Sequence, residues 1–116
     1  MRLRDETDLS IMKEIERLLT DEKIYKESSI TVDMLAQKLG LKRYNVSIAI
    51  NRCTQKNFNT LINEYRIKEA ILSLSNKKVT VDQIAFDCGF SDRKSFYRIF
   101  KKITGLSPTE FRNNVV

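Results

Sequence analysis

The sequence contains TVDMLAQKLGL at residues 31–41 and a second version of the same pattern, TVDQIAFDCGF, at residues 80–90. Both versions begin with Thr-Val-Asp, continue with an apolar residue followed by Ala, and end with Gly between two apolar residues. A threonine in this position caps the first turn of a helix, and a glycine supplies the left-handed residue that ends one. We therefore predict a short helix in each copy, closed by Gly40 and Gly89, with Gln83 completing a capping box in the second copy.

A second amphipathic helix follows each copy, because apolar residues recur there at i, i+3, i+4 and i+7. These expected core positions are Val46, Ala49, Ile50 and Cys53 in the first copy and Phe96, Ile99, Phe100 and Ile103 in the second. The connecting turn is one residue longer in the second copy. A short helix, a glycine turn and a second amphipathic helix form the helix-turn-helix pattern, whose second helix can enter a DNA major groove. Any helical hairpin can imitate one such pattern, so the duplication is the stronger evidence.

The segment between the copies, residues 58–74, predicts one long helix with two apolar faces. The faces lie about 180° apart at about 100° per residue, and they consist of Phe58, Leu61, Ile62 and Tyr65 on one side and Ile67, Ala70, Ile71 and Leu74 on the other. Such a helix would attach one subdomain to each of its ends. At about 1.5 Å per residue it is about 25 Å long, enough to hold two recognition helices roughly one DNA turn, about 34 Å, apart. The alternative is a long helix buried all round in a single bundle.

Two further helices are expected at the ends of the chain. The first runs from about Asp8, a candidate N-cap, to about Thr20, with core residues Leu9, Met12, Ile15, Leu18 and Leu19. The last begins in SPTEFR, where Ser107 and Glu110 have capping-box spacing, Pro108 takes the first helical position and Phe111 is the expected core anchor. Helical spacing recurs almost everywhere, so the predicted fold class is all-α with about seven helices.

The composition fits one compact domain and argues against an enzyme. The chain has 116 residues, of which 41% are hydrophobic and 31% charged, and it contains no histidine. The usual general base and the commonest zinc ligand are therefore missing. Cys53 and Cys88 have no metal-ligand or redox spacing, so we interpret them as small core residues in a reducing cytoplasm. We expect no catalytic residue, no metal and no cofactor.

The charge balance points to an anionic partner. The net charge is +6 and the pI is near 9.4, which favours a polyanion or an acidic membrane surface over a neutral partner. An ordinary solvated basic surface is the alternative. No apolar run is typical of a signal core or a membrane span, so we expect an intracellular protein with no membrane insertion.

From about Leu18 to Arg112 the sequence resembles the DNA-binding domain of the AraC/XylS family of bacterial transcription regulators. The resemblance is most specific in IAFDCGFSDRKSFYRIFKKITGLSPTEFR, where the family signature falls on Ile84, Ala85, Gly89, Phe90, Phe96, Arg98, Phe100, Lys101, Gly105, Pro108, Phe111 and Arg112. The family's linker helix is matched at Tyr65, Arg66, Ile67 and Ala70. The first copy departs from the family pattern at three positions: Lys42 replaces a usual Ser cap, Ile48 a frequent Arg, and Gln55 a frequent Gly.

The resemblance implies a monomeric unit with two helix-turn-helix heads that enter successive major-groove segments and activate or repress transcription. It divides the chain into an N-terminal helix and leader, 1–20, and an AraC-type DNA-binding domain, 21–116. Within that domain it implies a first helix-turn-helix at 31–55, a linker helix at 58–74, a second helix-turn-helix at 80–104 and a C-terminal helix at 107–114.

The resemblance also implies partners and a location. The partners are double-stranded promoter or operator DNA, RNA polymerase if the protein is an activator, and a sensing or dimerisation domain outside this chain. The location is the cytoplasm, in association with the nucleoid. The chain would be either the output domain excised from a larger sensor protein or a small stand-alone regulator.

The residues expected to contact DNA are those on the second helix of each copy that the core does not claim. They are Arg43, Tyr44, Asn45, Ser47, Ile48 and Arg52 in the first copy and Arg93, Lys94, Ser95, Tyr97, Arg98, Lys101 and Lys102 in the second. Arginine can bind guanine O6 and N7 through paired donors, asparagine can pair with adenine, and lysine neutralises phosphate. The N-terminal part of a recognition helix faces base edges, which assigns Lys101 and Lys102 to the DNA backbone and Arg93, Lys94, Tyr97 and Arg98 to bases and nearby phosphates.

Three positions carry a second interpretation. Ile48 is a thymine-methyl contact, an ordinary surface residue or a contact to a protein partner. Arg66 and Arg112 match the family but are interpreted as structural ion-pair residues, in preference to DNA contacts.

Two other functions remain as alternatives to a sequence-specific regulator. A helical protein–protein interaction adaptor would show little salt-sensitive DNA affinity. A nonspecific basic nucleic-acid binder would show affinity without sequence preference, because phosphate contacts dominate that mode.

Overall fold

The computed structural model describes the backbone of residues 2–115 and the side chains of residues 7–114. Within that range the chain is all-α, as predicted, and contains a short 3-10 helix at Ile24–Lys26 and no strand. The α-helices are α1 Arg2–Thr20, α2 Val32–Leu39, α3 Arg43–Thr54, α4 Phe58–Ser73, α5 Val81–Asp87, α6 Arg93–Thr104 and α7 Pro108–Val115.

The chain forms two compact units, and each contains one of the two repeated patterns. The first unit comprises the chain up to Ile24 and Ser29–Ile62; the second comprises Tyr25–Ser28 and the chain from Asn63 onward. The central helix α4 therefore contributes residues to both units, as its two apolar faces predict. Tyr65 is the exception: its spacing predicts the first face, but it lies in the second unit, where its ring is 5.9 Å from that of Tyr25.

The core of the first unit lies between α1, α2 and α3. Its buried side chains are Ile11, Met12, Ile15, Leu18, Leu19, Leu35, Ala36, Val46, Ala49, Ile50, Leu61 and Ile62. The prediction that Leu9 is buried is wrong, because Leu9 is 57% exposed and Ile11 is buried instead. The reason is angular, because Ile11 shares a helix face with Ile15 whereas Leu9 points about 200° away from Ile11.

Asp8 is not the N-cap of the first helix. Helix α1 begins at Arg2, so Asp8 lies within it. Its carboxylate is on the same face as Met12 and Ile15, and it is buried. The carboxylate accepts a hydrogen bond from Arg52, which accounts for a buried acid at this position.

The core of the second unit is centred on the aromatic rings of α6, which pack against Phe90 and Phe111. The ring of Phe96 lies 5.1 Å from Phe90 and 5.6 Å from Phe100, and Phe100 lies 5.5 Å from Phe111, which confirms Phe111 as the anchor of α7. The other buried members of the cluster are Ile67, Ala70, Leu74, Ile84, Ala85 and Cys88. The prediction that Ile103 is buried is wrong, because it is 44% exposed. Phe100, one turn earlier, is the last buried residue of α6, and Phe111 of α7 packs against it.

The two repeats share their hydrogen bonds as well as their sequence. Thr31 Oγ1 accepts from the Met34 amide at 3.1 Å, and Thr80 Oγ1 accepts from the Gln83 amide at the same distance. At the helix ends the amides of Leu41 and Phe90 donate to carbonyls five residues earlier, at 2.9 and 3.1 Å. This six-to-one bond is the Schellman closure that a left-handed glycine permits.

The predicted capping boxes had different outcomes. Ser107 and Glu110 form a reciprocal pair, in which Ser107 Oγ accepts from the Glu110 amide at 3.1 Å and Glu110 Oε1 accepts from the Ser107 amide at 2.9 Å. The box at Gln83 is wrong, because its side-chain amide donates to Asp87 Oδ1 at 2.8 Å. A capping box needs the Gln83 side-chain oxygen to accept from the Thr80 amide, whereas the side chain extends forward to Asp87, one turn ahead on the same face.

Helix α3 lacks the terminal devices that α6 possesses. Its N-cap, Lys42, makes no side-chain capping bond, and its C-cap, Gln55, is left-handed at φ 59°. We expect Gln55→Gly to raise the free energy of unfolding by about 1 kcal/mol, because a side chain costs about that much in this conformation. Loss of the 2.9 Å bond from Gln55 Nε2 to the Arg52 carbonyl reduces the gain. Urea unfolding followed by circular dichroism measures it.

The matched control makes the reverse substitution, glycine to glutamine, at the C-cap of α6. Gly105 ends α6 at φ 86°, and a Cβ added there would have no atom within 4 Å. Gly105→Gln is therefore expected to lower the free energy of unfolding by a similar amount. A loss of stability in Gln55→Gly would contradict the expectation.

Candidate DNA interface

The outer face of α3 carries the first set of predicted contact residues. Its core residues Val46, Ala49 and Ile50 occupy the inner face, which leaves Arg43, Tyr44, Asn45 and Ser47 exposed and Ile48 half-buried. Tyr44 is 68% exposed, a large fraction for an aromatic side chain. The face therefore offers one cation, two neutral polar groups and an aromatic ring.

Arg52 is on the same helix but is tied to α1. Its Nη1 lies 3.3 Å from Asp8 Oδ2, and the Asp8 side chain is only 10% exposed. Removing the arginine would leave a buried carboxylate without this cation, which is costly. Arg52 therefore has a structural task that the other predicted residues of α3 do not share.

A cleft of about 470 Å³ opens in the first unit beside the predicted residues Arg43 and Ser47. Its lining also includes Ile30, Thr31, Val32, Asp33, Asn51, Asn57, Phe58 and Asn59. Sequence reasoning did not single out Asn51, although it lies one helical turn after Ser47 and so on the same side of α3. That spacing was the available signal.

The outer face of α6 carries the second set of predicted contact residues, and most of them are basic. The helix RKSFYRIFKKIT contains no acidic residue. Arg93, Lys94, Arg98, Lys101 and Lys102 are all exposed, while Ser95 and Tyr97 are half-buried. Because Lys94, Arg98 and Lys101 recur at i, i+4 and i+7, they form one cationic stripe along the helix.

Asp92 fixes the start of α6. Its Oδ1 accepts from the Ser95 amide at 2.7 Å and its Oδ2 accepts from the Ser95 hydroxyl at 3.1 Å. Both bonds, the one from the backbone amide more than the one from the hydroxyl, hold the pKa of the Asp92 carboxyl below its usual range. The Ser95 hydroxyl therefore serves the cap, and sequence reasoning missed Asp92 although an Asp before a helical run is an N-cap signal.

The guanidinium of Arg93 is held in place by two side chains. Its Nε lies 3.3 Å from Asp82 Oδ1, its Nη2 donates to the Tyr97 hydroxyl at 3.4 Å, and its carbon lies 4.9 Å from the Tyr97 ring centre. The hydrogen bond to Tyr97 and the charge of Asp82 raise the pKa of Arg93. The first unit has a counterpart, in which Arg43 Nη1 lies 3.8 Å from Asp33 Oδ2.

Asp33 and Asp82 were missed by sequence reasoning as partners of these arginines. Both are the third residue of the Thr-Val-Asp repeat, and both lie in the first turn of their helix. The repeat was the signal that could have found them.

Arg66 and Arg112 are structural, as interpreted, but within the described part of the chain their partners are backbone carbonyls and not the acidic side chains of the expected ion pairs. Arg66 is buried and donates to the carbonyls of Tyr25 and Glu27 at 2.7 and 3.0 Å. Arg112 donates to the carbonyls of Leu74, Asn76 and Val79 at 2.9, 3.1 and 2.8 Å. A guanidinium has five donors in a planar fork, which suits several carbonyls at once.

The cysteines fit their predicted place in the core to different degrees. Cys88 is buried, which raises the pKa of its thiol to about 12, whereas Cys53 is half-buried. Among the side chains of residues 7–114, no His, Cys, Asp and Glu residues are grouped to hold a metal ion. The helices in the described part of the chain include none with the length and apolarity to cross a membrane.

Comparison with known proteins shows that the chain is similar in sequence to transcription regulators. A family model described as "Helix-turn-helix domain" matches residues 35–114. The Msm operon regulatory protein of Streptococcus mutans is 32% identical over 88 residues, covering 76% of this chain and 32% of the relative. The probable transcription factor PqrA of Proteus vulgaris is 29% identical over 91 residues, covering 78% of this chain and 75% of the relative. The chain thus spans about a third of the streptococcal relative's length.

Solved structures share the fold. The C-terminal domain of the two-component response regulator yesN from Fusobacterium nucleatum matches with a TM-score of 0.75 and 27% identity, over 85% of this chain and 98% of that domain. The DNA-binding domain of AdpA, solved in complex with a target DNA, matches with a TM-score of 0.77 and 20% identity, over 89% of each chain.

Proposed function

This chain belongs to the AraC family of transcription regulators as an AraC-type helix-turn-helix domain, and from that premise we propose that it binds double-stranded DNA sequence-specifically through α3 and α6. The observation that carries the proposal is the acid-free, exposed cationic face of α6, presented by a helix-turn-helix whose turn is closed by hydrogen bonds. Such a face can neutralise phosphates while its arginines read base edges.

We expect one chain to bind DNA through both of its units. In the first unit the DNA-binding part is α2–α3, which we call the first head. In the second unit it is α5–α6, which we call the second head. The two exposed faces differ in chemistry, so the two half-sites that they recognise should differ. We therefore propose that a monomer binds an asymmetric site covering about two major-groove segments.

The predicted contact residues divide into three roles in this proposal. Arg93, Lys94, Tyr97 and Arg98, with Tyr44, Asn45, Ser47 and Ile48, contact bases and nearby phosphates. Lys101, Lys102 and Arg43 contact the DNA backbone. Ser95 and Arg52 act mainly by holding their helices in place, because Ser95 is bonded to Asp92 and Arg52 to Asp8.

The proposal extends to the protein in its cell. A regulator acts on chromosomal DNA, which places this one in the cytoplasm at the nucleoid, and an activator would also contact RNA polymerase. The length of the streptococcal relative supports a separate sensing or dimerisation domain outside this chain. The proposed activity is binding alone, without catalysis, metal or cofactor.

Selection of bound duplexes from a random library, followed by footprinting, tests the proposal. We expect an asymmetric footprint, at least about 1,000-fold preference for the selected duplex, and affinity that falls by about 0.9 log units per log of salt for each phosphate contacted. Salt-sensitive affinity without sequence preference would show a nonspecific binder. No salt-sensitive DNA affinity would favour the adaptor.

Substitutions in the two heads should separate base contacts from phosphate contacts. Arg98→Ala is expected to cost about 1–3 kcal/mol of binding free energy and to relax preference at one base pair, because a paired arginine–guanine contact is lost. Lys101→Ala, its neighbour on the same stripe, should weaken all sequences alike and reduce the salt slope by about one unit. Fluorescence titration against the selected duplex and its single-base variants measures both.

Asn45→Ala tests whether the second head dominates. It is expected to cost less than Arg98→Ala, because the exposed part of α3 carries fewer cations than α6. A larger loss at Asn45 would mean that the first head leads.

A further inference from the structure

An acidic residue lies unexpectedly close to the N-terminal arginine of α6. Asp82 is in the first turn of α5, and its carboxylate is paired with Arg93, the first residue of α6. Both side chains are more than half exposed. Exposed pairs add little stability. A carboxylate in the first turn also interacts favourably with the N-terminus of α5, but Asp33 does the same for α2, so neither contribution distinguishes the second head.

The contacts of Arg93 occupy one side of its guanidinium. Asp82 binds Nε, and Tyr97 accepts a hydrogen bond from Nη2 while its ring supports the guanidinium plane. Within the described part of the chain, the hydrogen bond to Tyr97 uses one of the five N–H donors, and the ion pair with Asp82 lies beside Nε, so donors remain on both terminal nitrogens. Two terminal donors are the pair that guanine O6 and N7 require.

The first head has the same pair without the support. Arg43 and Asp33 are separated by 3.8 Å, against 3.3 Å in the second head. Among the side chains that the structure describes, no aromatic ring supports Arg43, whereas Tyr97 supports Arg93. The carboxylate is therefore shared by both heads, but the aromatic contact to the guanidinium belongs to the second.

We propose that Asp82 is a positioning residue that sets the sequence selectivity of the second head by holding Arg93 against Tyr97. The inference rests on the proposed function. Held in this way, Arg93 keeps its terminal donors in one orientation and does not need to lose side-chain freedom when it meets a base edge. The carboxylate also offsets its charge, so that Arg93 contributes less to indiscriminate phosphate binding.

The test compares Asp82→Asn with Asp33→Asn, which changes the charge of the chain by the same amount. Loss of one negative charge should strengthen binding to the library-selected duplex and to a scrambled duplex alike, so this effect cancels in the ratio of the two affinities. Loss of the fixed orientation of Arg93 weakens binding to the selected duplex alone, so it lowers the ratio. We expect the ratio to fall about fivefold in Asp82→Asn, the size of one exposed ion pair, and to stay unchanged in Asp33→Asn.

A double-mutant cycle attributes the effect to Arg93. In an Arg93→Ala background, Asp82→Asn should leave the ratio unchanged, because the side chain that it positions is gone. A general structural role for Asp82 would lower both affinities together and would persist in that background. If Asp82→Asn lowers the melting temperature, Asp82→Ser supplies a second uncharged residue that is compatible with a helix start.

The outcomes separate this inference from the proposed function. Equal ratios for Asp82→Asn and Asp33→Asn, with a wild-type chain that discriminates between the duplexes, would overturn the positioning role alone. A wild-type chain without discrimination would overturn the proposed function and the inference with it.

Discussion

Replacing Gly89 by alanine is expected to lower the free energy of unfolding by about 3 kcal/mol or more, since left-handed backbone costs an L residue about 1–2 kcal/mol and overpacking adds about 1–3 kcal/mol. Gly89 has φ 110°, and a Cβ there would overlap the Tyr25 carbonyl oxygen and lie 2.9 Å from Arg66 Nε. That carbonyl cannot easily retreat, because Arg66 holds it at 2.7 Å.

Gly40→Ala is the matched control for this prediction. Gly40 occupies the same position of the first repeat at φ 67°, but a Cβ added there would have no atom within 4 Å. Its substitution should therefore cost only the backbone contribution, about 1–2 kcal/mol. Urea unfolding gives the two free energies, and amide hydrogen exchange should show faster opening of α5 and α6 in the Gly89 variant. Equal losses would mean that the close approach to Tyr25 is relieved at little cost.

Replacing Arg66 by methionine is expected to lower the free energy of unfolding by about 2–4 kcal/mol, because buried carbonyls left without a donor cost about 1–3 kcal/mol each. The guanidinium serves the Tyr25 and Glu27 carbonyls and lies 5.6 Å from the Phe90 ring centre. Burial lowers the pKa of Arg66, and relief of this desolvation partly offsets the loss. Thermal and urea unfolding measure the change.

Two further variants make the Arg66 prediction specific. Arg66→Lys keeps a cation but not the planar fork, so its loss should be intermediate. Arg112→Met removes the donor to three carbonyls at a less buried position and should cost less than Arg66→Met. If Arg66→Met instead left stability unchanged and reduced the salt slope of DNA binding, Arg66 would be a phosphate contact.

Local patterns in the sequence were sufficient to predict much of the fold. The partners in these local contacts are at most five positions apart. The contacts are the two Thr caps, the six-to-one bonds to the carbonyls of Ala36 and Ala85, and the Ser107–Glu110 box. Their geometry depends on backbone conformation and on side chains that are neighbours along the chain, so the same residues give the same structure in both copies. The helix pair of each repeat and the burial of Phe96 and Phe100 followed from these local preferences and helical periodicity, whereas Ile99 is only half-buried.

Periodicity was less successful where it had to define the edge of a core. Leu9 and Ile103 have helical spacing relative to buried residues, yet both are exposed. A period identifies a face of a helix, but the extent of its burial depends on which other element covers it.

The tertiary structure alone decided the partners of the long charged side chains. Arg52 with Asp8, Arg66 with the Tyr25 carbonyl and Arg112 with the Leu74 carbonyl are separated by 44, 41 and 38 positions in the sequence. The sequence by itself determined the helices, the repeat and the basic character of the second head. It could not determine these contacts, because an arginine can reach any carboxylate or carbonyl that folding brings within several ångströms, and only the packing of distant segments selects which one.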